Sequence, residues 1–226
     1  MKKNIVVVSA HPDDEILGAG GTLIKHRDAG HQIFWLIVTN ISEEMGFSSK
    51  RVKSRQGEID EVAGRLKAKV FKLDYPTMGL GSQELIDMVP RISDIFTKIE
   101  PHTIYVLNRS DAHSDHRVVF NAVMACTKSF RYPSIRQVMM YECISETEFA
   151  PALSENMFVP NCFTDISDEM DEKIEIMNLY ESEMGEHPFP RSVANIKALA
   201  TFRGASSGVQ YAEAFQLIKW NRVEEL

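Results

Sequence analysis

Cysteine is scarce in this sequence, which limits the kinds of site that it can build. Cys126, Cys143 and Cys162 are odd in number, widely spaced and form no C-x-x-C pair. Disulfide frameworks and structural cysteine–zinc sites need paired cysteines at regular spacings. We therefore expect three reduced, buried thiols, and any metal site must be built from other side chains.

The sequence also lacks an apolar run long enough to cross a membrane. Lys2 and Lys3 precede a short apolar stretch, as they would in a signal peptide. His11 and the acidic residues after it interrupt that stretch before a full apolar core can form. We therefore expect a cytoplasmic protein with no stable membrane insertion.

Positive charge is in short supply, and the loops that bind nucleotide phosphates are missing. The formal net charge of −7 argues against a nucleic-acid partner, although it does not exclude a small anionic substrate. Gly18, Gly20 and Gly21 lie inside a predicted helix and do not spell G-x-G-x-x-G, and there is no Walker-type sequence. A nucleotide-binding module is therefore disfavoured, and we expect these glycines to allow close packing of the helix against a sheet.

What the sequence does contain is a regular alternation of apolar strands and helices. Its 226 residues, 44% hydrophobic and 25% charged, are typical of a globular protein, and we expect one domain over residues 1–226. The alternation predicts an α/β fold with a Rossmann-like, doubly wound, mostly parallel sheet flanked by helices. The predicted strands are Asn4–Ser9, Ile33–Val38, Lys69–Leu73, Thr103–Leu107 and Val138–Tyr141, and the predicted helices between and after them are Glu15–Gly30, Val52–Leu66, Leu85–Ile99 and Val118–Phe130. The last third is less regular, with a strand near Cys162–Phe163, a helix over about Glu169–Glu183, a turn at His187–Pro190 and a helix through Ala200.

Two clusters of imidazoles and carboxylates follow the first and fourth predicted strands. One is the run Ala10–Glu15, which reads AHPDDE, and the other is Asn108–Arg117, which reads NRSDAHSDHR. In the common strand order 3-2-1-4-5, strands one and four are neighbours at the point where the winding reverses. The two clusters should therefore converge on one crevice, at the edge where open α/β sheets bind ligands.

Such a crevice can hold a catalytic metal ion. His11 and Asp14 are one helical turn apart and face the same point if Pro12 lies at the helix start. His116 would complete a set of three nitrogen and oxygen ligands, and a catalytic zinc ion usually keeps a further position open. Acidic residues also stabilise a helix start through its dipole, but the pairing of two distant clusters favours the metal site.

Three further residues of these clusters have the chemistry of proton transfer. Asp13 would lie beside the metal without needing to bind it, where it is placed to act as a general base. His113 is two residues from Asp115, whose carboxylate would hold the imidazole in one tautomer. When protonated, His113 would stabilise an oxyanion or donate to a leaving amine.

The two clusters together resemble the motifs of the PIG-L/LmbE-like zinc-dependent N-deacetylases. Further segments resemble the same family over nearly the whole chain, namely Arg55–Glu58 (RQGE), Tyr180–Glu183 (YESE) and Tyr211–Phe215 (YAEAF). The family removes acetyl groups from N-acetylglucosamine-type moieties. The resemblance therefore implies an acetylated amino-sugar substrate and a homo-oligomeric enzyme. The lack of a membrane anchor in the sequence favours a small, soluble substrate over a lipid one.

The resemblance also implies a role for each matching residue. It makes Asp13 the base, His113 with Asp115 the pair that stabilises the transition state, and Arg55 a substrate contact, with zinc, or another divalent metal, held by His11, Asp14 and His116. Arg191 is a second candidate substrate contact, since a guanidinium binds oxyanions and hydroxyls through several donors. In hydrolysis of this kind, Asp13 takes the proton of the attacking water and the oxyanion rests between the metal and His113.

Three positions depart from the family pattern. Ser114 stands where proline is common, Glu183 where glutamine is common, and Asp111 where some members place an aromatic hydroxyl. The residue that assists His113 is thus left open, as is the choice between an amino sugar and a non-sugar amide as substrate.

A serine hydrolase is the competing enzyme class. Gly204–Gly208 reads GASSG and fits the G-x-S-x-G pattern, with Ser206 at the nucleophile position. That elbow needs a strand before the serine and a helix after it. The sequence predicts the reverse order here, which disfavours this alternative.

Overall fold

The computed structural model describes residues 2–222, and its architecture is a seven-stranded sheet with helices on both faces. The strands are β1 (Asn4–Ser9), β2 (Gln32–Asn40), β3 (Lys69–Pro76), β4 (Thr103–Leu107), β5 (Gln137–Tyr141), β6 (Cys162–Asp165) and β7 (Ala212–Trp220). The helices are α1 (Asp14–Asp28), α2 (Ser49–Leu66), α3 (Ser82–Ile99), α4 (Ser114–Ala125), α5 (Met170–Met177) and α6 (Val193–Ser207). None of the helices among residues 2–222 combines the length and the apolar character needed to cross a bilayer.

The strand order is β3-β2-β1-β4-β5-β7-β6. The first five strands are parallel and follow the predicted order 3-2-1-4-5, while β7 pairs antiparallel with both β5 and β6. β1 and β4 are therefore neighbours, as predicted, and they pair over the register Ile5↔Thr103 to Val7↔Tyr105. The loops that follow these two strands open at the same edge of the sheet.

The core lies on both sides of the central strands. Val6, Val7 and Val8 of β1 are fully buried, which is why that strand is a continuous apolar run rather than an alternating one. Trp35 of β2 is also fully buried, and its indole N–H donates to Ser9 Oγ at 2.8 Å. This packing fixes the end of β1, from which the first cluster begins.

Gly18 allows α1 to approach β5 closely, as the sequence analysis expected. A Cβ atom at Gly18 would lie 2.1 Å from Tyr141 Cδ2, far inside van der Waals contact. The Tyr141 hydroxyl in turn donates to the carbonyl of Val8 at 2.8 Å. Gly18 therefore serves helix–sheet packing rather than phosphate binding.

The helices all differ from the prediction at one end or both, and the limits of α4 and α5 show why. α4 begins at Ser114 rather than Val118 because the His113 side chain caps it by accepting the N–H of Asp115, and it ends at Ala125 rather than Phe130. α5 ends at Met177 rather than Glu183, so Tyr180 and Glu183 lie in the turns after the helix. The apolar period locates a helix, but caps and turns set its ends.

The segment that matches G-x-S-x-G is helical. Ser206 belongs to α6, which ends at Ser207 and is capped by Gly208 in the left-handed conformation (φ 78°). The Ser206 hydroxyl donates to the carbonyl of Phe202, one turn earlier, at 3.1 Å. The order is helix before strand, so the nucleophile elbow is absent here.

Candidate metal centre and active site

The two predicted clusters meet above the carboxyl ends of β1 and β4. They line a cavity of about 490 Å³ to which His11, Asp13 and Asp14 contribute from one side and His113 and His116 from the other. The loops after β2, β3 and β5 and the helix α2 also contribute to its lining. The crevice predicted from the strand order is therefore present in the structure.

The Asp14 carboxylate lies between the imidazoles of His11 and His116. Its Oδ2 is 3.8 Å from His11 Nδ1, and its Oδ1 is 3.3 Å from His116 Nε2. One donor atom from each of the three side chains lies within 4.8 Å of the others, which is close enough for one cation to contact all three. Two imidazole nitrogens and one carboxylate oxygen form a donor set that suits zinc and other first-row divalent metals.

A turn, rather than a helix, brings His11 and Asp14 together. We had expected Pro12 at the helix start. In the structure α1 begins at Asp14, so Pro12 lies two residues before the helix. The backbone N–H of His11 donates to Asp14 Oδ2 at 2.8 Å and closes the turn. The predicted convergence is found, but its geometric cause is different.

Each candidate imidazole ligand is held by a second carboxylate on its far side. His116 Nδ1 donates to Asp111 Oδ2 at 2.8 Å, and His11 Nε2 donates to Asp115 Oδ2 at 3.1 Å. The other nitrogen of each ring is left facing Asp14. Carboxylates in this position fix the tautomer and orientation of histidine ligands in metal sites.

Asp111 and Asp115 are themselves fully buried and hydrogen bonded. Asp111 Oδ1 accepts from Asn108 Nδ2 at 2.7 Å and from Thr147 Oγ1 at 2.6 Å. The Asp115 carboxylate accepts the backbone N–H groups of Met78, at 2.7 Å, and Leu80, at 3.1 Å. These bonds compensate the cost of burying the two charges.

The electrostatics of the three candidate ligands are strongly coupled. Burial disfavours a charge on His116, but Asp14 and Asp111 outweigh it and raise the pKa of its imidazole well above the usual range. Burial likewise disfavours a charged Asp14, but His116 and His11 outweigh it and lower the pKa of the carboxyl. The Asp14 anion is thus stabilised by positive charge next to it, which is the environment that a bound cation provides.

Asp13 lies beside this set, buried and with unusual backbone geometry. Its backbone φ of 139° is one that residues other than glycine rarely adopt. Its N–H donates to Glu15 Oε2 at 3.1 Å. The Tyr180 hydroxyl donates to the other oxygen of Glu15 at 2.7 Å. A buried Glu15–Tyr180 pair therefore holds the strained backbone that aims Asp13 into the cavity.

The carboxyl group of Asp13 binds protons unusually tightly. Burial, Asp14 and Glu183 raise its pKa well above the usual range, and Arg191, whose Nη1 lies 4.0 Å away, opposes them. A raised pKa brings a carboxyl closer to the range in which it can exchange a proton near neutral pH.

His113 is oriented by the backbone rather than by the Asp115 carboxylate. Its Nδ1 accepts the N–H of Asp115 at 3.1 Å, whereas Asp115 Oδ2 is 4.0 Å from the same nitrogen. The expected carboxylate–imidazole bond is therefore replaced by a helix cap, and Asp115 bonds to His11 instead. With Nδ1 as an acceptor, a neutral His113 carries its proton on Nε2. Burial, with His11 and His116 nearby, lowers the pKa of His113 to about 4.

Arg55 and Arg191 both reach the cavity, and a third arginine joins them. Arg55 Nη1 donates to the carbonyl of Pro12 at 2.8 Å, and Arg191 Nη1 donates to Ser145 Oγ at 3.1 Å. Arg51, one helical turn before Arg55 on α2, also lines the cavity. All three guanidinium groups contact the carboxylate of Glu183.

A comparison with known families now identifies the chain. A model of the PIG-L family, described as GlcNAc-PI de-N-acetylase, matches residues 6–127, which is more than half of the sequence. The chain belongs to the PIG-L family. The match contains both clusters, so the residues of the candidate metal centre lie inside the family's own region.

Relatives of this PIG-L protein extend the likeness to nearly the whole chain. It is 22% identical over 229 residues to diacetylchitobiose deacetylase of Thermococcus kodakarensis, covering 96% of this chain and 83% of that one. Among solved structures, N,N'-diacetylchitobiose deacetylase from Pyrococcus horikoshii has a TM-score of 0.73 at 22% identity, covering 96% and 84% of the two chains. GalB, the 4-carboxy-2-hydroxymuconate hydratase of a Pseudomonas strain, has a TM-score of 0.74 at 20% identity over the full length of both chains. One fold therefore carries proteins named as deacetylases and one named as a hydratase.

Sequence reasoning missed several residues of this PIG-L site. Asp111 was noted only as a departure near His113, whereas it holds His116. Arg51 stands four residues before Arg55, a helical spacing that would have put both on one face of α2. Arg203 pairs with Glu142 at 2.7 Å and does not line the cavity.

Proposed function

We propose that this PIG-L protein is a zinc-dependent N-deacetylase that hydrolyses the acetamide of an N-acetylglucosamine-type group in a small conjugate. The observation that carries the proposal is the meeting of two carboxylate-backed imidazoles with Asp14, next to a buried carboxyl group at Asp13. Structural metal sites are closed on all sides, whereas this set faces an open cavity of substrate size.

His11, Asp14 and His116 are the residues that would hold the metal. Their donor atoms, burial and supporting carboxylates fit zinc, and other divalent metals accept the same donors. When bound, zinc supplies a Lewis acid for the acetamide carbonyl and lowers the pKa of water in the site.

Asp13 is the proposed general base. It takes one proton from the attacking water as the water oxygen bonds to the carbonyl carbon of the acetamide. The amide C–N bond then breaks, and the proton held by Asp13 passes to the departing nitrogen. The products are a free amine and acetic acid, which ionises to acetate by releasing the second proton of the water, so protons and atoms balance without a covalent enzyme intermediate.

His113 is the proposed oxyanion donor. Because its Nδ1 accepts a backbone N–H, its Nε2–H is the group available to the tetrahedral intermediate. Asp115 positions other residues rather than contacting the substrate. Its carboxylate holds the ring of His11, and its backbone N–H donates to His113 Nδ1 at the start of α4. Its predicted pairing with His113 is thereby revised to a positioning role.

Arg55 and Arg191 are the proposed substrate contacts, and sugar hydroxyls suit their donors. A small acetylated amino-sugar conjugate fits a cavity of this volume. The homo-oligomeric state and the cytoplasmic location stay predictions.

Release of acetate tests the proposal directly. N-acetylglucosamine, diacetylchitobiose and N-acetylated amino acids are incubated with metal-free protein, with zinc-loaded protein and with the Asp13→Ala variant. We expect acetate only from the amino sugars and only with loaded, unmutated protein, at a rate at least ~100-fold above that of Asp13→Ala.

The Ser206→Ala variant is the matched control, since it alters the only residue on which the serine-hydrolase alternative depends. We expect it to keep full activity. Acetate that appears from chelated protein, or that disappears in Ser206→Ala, contradicts the metal mechanism. Acetate from the amino acids alone moves the assignment to a non-sugar amidase.

A further inference from the structure

The wall of the cavity next to Asp13 is built around one carboxylate. Glu183 Oε2 is 3.2 Å from Arg191 Nη2, and its Oε1 contacts Arg55 and lies 3.3 Å from Arg51 Nη2. The carbonyl of Glu183 also accepts from Arg191 Nε at 2.8 Å. Three guanidinium groups that face the cavity are therefore engaged by a single residue of the protein itself.

The charges of this wall nearly cancel. Arg51 and Arg55 are also paired with Glu58, at 2.8 Å and 3.3 Å, and Glu58 does not line the cavity. The three arginines and two glutamates sum to one positive charge, and Asp13, 4.0 Å from Arg191, lies at its edge. Without Glu183 the same wall would present two positive charges, with their donors directed at the substrate.

A second observation indicates that these contacts are strong. Burial disfavours a charge on Glu183, yet Arg55 and Arg191 outweigh it and lower the pKa of its carboxyl below the usual range. The carboxylate is thus bound by the arginines as an anionic ligand would be bound. It occupies the position that a phosphate or carboxylate group of a substrate would otherwise take.

We propose that Glu183 is a specificity-determining residue, which fills the arginine cluster with an internal anion and so directs the site to neutral N-acetylglucosamine-type substrates. The inference rests on the proposed deacetylase function and adds the charge class of its substrate. The arginines, already oriented by Glu183, keep their remaining N–H donors for the hydroxyl groups of an uncharged sugar.

The physical basis is competition for the same donors. An anionic group that enters this wall either displaces Glu183 from three charge-assisted hydrogen bonds or remains beside a like charge. At a separation of about 6 Å and an effective dielectric constant of about 20, the charge of Glu183 lowers the binding of an anion by about 100-fold relative to the same wall without that charge. A neutral sugar does not meet this repulsion.

The test compares a matched pair of substrates in three proteins. The pair is N-acetylglucosamine and N-acetylglucosamine 6-phosphate, and the proteins are the unmutated enzyme, Glu183→Gln and Glu58→Gln. Both substitutions remove one negative charge that pairs with the arginines, but only Glu183 lines the cavity. The readout is the ratio of kcat/KM for the neutral and the phosphorylated substrate, with KM and kcat measured separately.

We expect the unmutated enzyme to favour the neutral substrate by about tenfold or more. Glu183→Gln should shift the ratio toward the phosphorylated substrate by about 10- to 100-fold, mainly through its KM, because solvent in the open cavity screens part of the repulsion. Glu58→Gln should shift the ratio by less than about threefold, because Glu58 does not line the cavity and its charge is farther from a bound anion.

Several results would overturn the inference. Equal or better use of the phosphorylated sugar by the unmutated enzyme does so, and so does an equal shift in the two variants. If Glu183→Gln fails to fold, inhibition of the unmutated enzyme by inorganic phosphate decides: weak inhibition supports the inference, and inhibition at low micromolar concentration refutes it. Failure of the deacetylase proposal is distinct, since then neither substrate yields acetate in any of the three proteins.

Discussion

Replacing Asp111 by asparagine tests whether the buried carboxylates behind the imidazoles serve metal binding. Asp111 is fully buried, and its two oxygens accept from Asn108, Thr147 and His116. In Asp111→Asn, one oxygen remains for Asn108 and Thr147, and an NH₂ group then faces His116 Nδ1. Two donors cannot share that contact, so the imidazole proton is expected to move from Nδ1 to Nε2.

That tautomer change acts on the nitrogen that a metal needs. Nε2 is the atom of His116 that faces Asp14, at 3.3 Å, and it can bind a cation only when it carries no proton. Loss of a supporting carboxylate of this kind typically weakens metal binding by about 10- to 100-fold, or about 1.4 to 2.7 kcal/mol. We expect Asp111→Asn to fall in this range because the contact that it breaks is short and fully buried.

Competition with a chromophoric chelator measures the zinc affinity of Asp111→Asn and of the unmutated protein. The control is Asp94→Asn, which makes the same change at an exposed position of α3 and should leave the affinity unchanged. If Asp111→Asn binds zinc within about threefold of the unmutated protein, then Asp111 does not support a metal ligand and the assignment of His116 loses its main structural argument.

Three further predictions concern stability and metal removal. Gly18→Ala should cost about 3 kcal/mol in urea denaturation, because its Cβ would overlap Tyr141, whereas Gly64→Ala, with open space around it, should add up to about 1 kcal/mol. Burial and neighbouring basic groups lower the pKa of His26 to about 4, so at pH values between 4 and 6.5 the unfolded chain binds this proton more readily than the folded protein. The free energy of unfolding should therefore fall by up to ~3 kcal/mol as the pH is lowered from 6.5 to 4, and it should fall by less in His26→Gln. Removal of zinc by a chelator should lower the melting temperature of the zinc-loaded protein, by an amount set by the ratio of the free zinc concentration to the Kd. The chelator should leave the melting temperature of His116→Ala unchanged.

The arrangement of the sheet was predictable because its signal is repeated along the chain. Each of the first five strands is an apolar run between helical patterns, and 3-2-1-4-5 is a common order for parallel strands joined by right-handed crossovers. The antiparallel direction of β7 was not predicted. The apolar pattern of a strand does not reveal its direction, which depends on the path of the connecting segment that leads back to the sheet. The ends of α4 and α5 were wrong for a related reason, because caps and turns depend on single contacts.

The convergence of His11, Asp14 and His116 was predictable from strand order alone, and the structure confirms it. The partners of these residues were not predictable. Asp115 is two residues from His113 in sequence, which suggested a pair, yet its carboxylate turns to His11 across the crevice. Spacing along a chain specifies which residues are near one another, but not which of several neighbours a side chain will bond.

The beginning of α4 shows how one local contact organises the whole site. Because the His113 ring accepts the N–H of Asp115, the helix starts at Ser114, and Asp115 and His116 point in defined directions from its first turn. Asp115 then reaches His11, and His116 reaches Asp14. A residue proposed to act on the substrate is therefore also the residue that aligns the second cluster with the first. Substitution of His113 should change the geometry of the metal centre as well as the oxyanion contact, so its loss of activity cannot be assigned to catalysis until zinc affinity has been measured in the same variant.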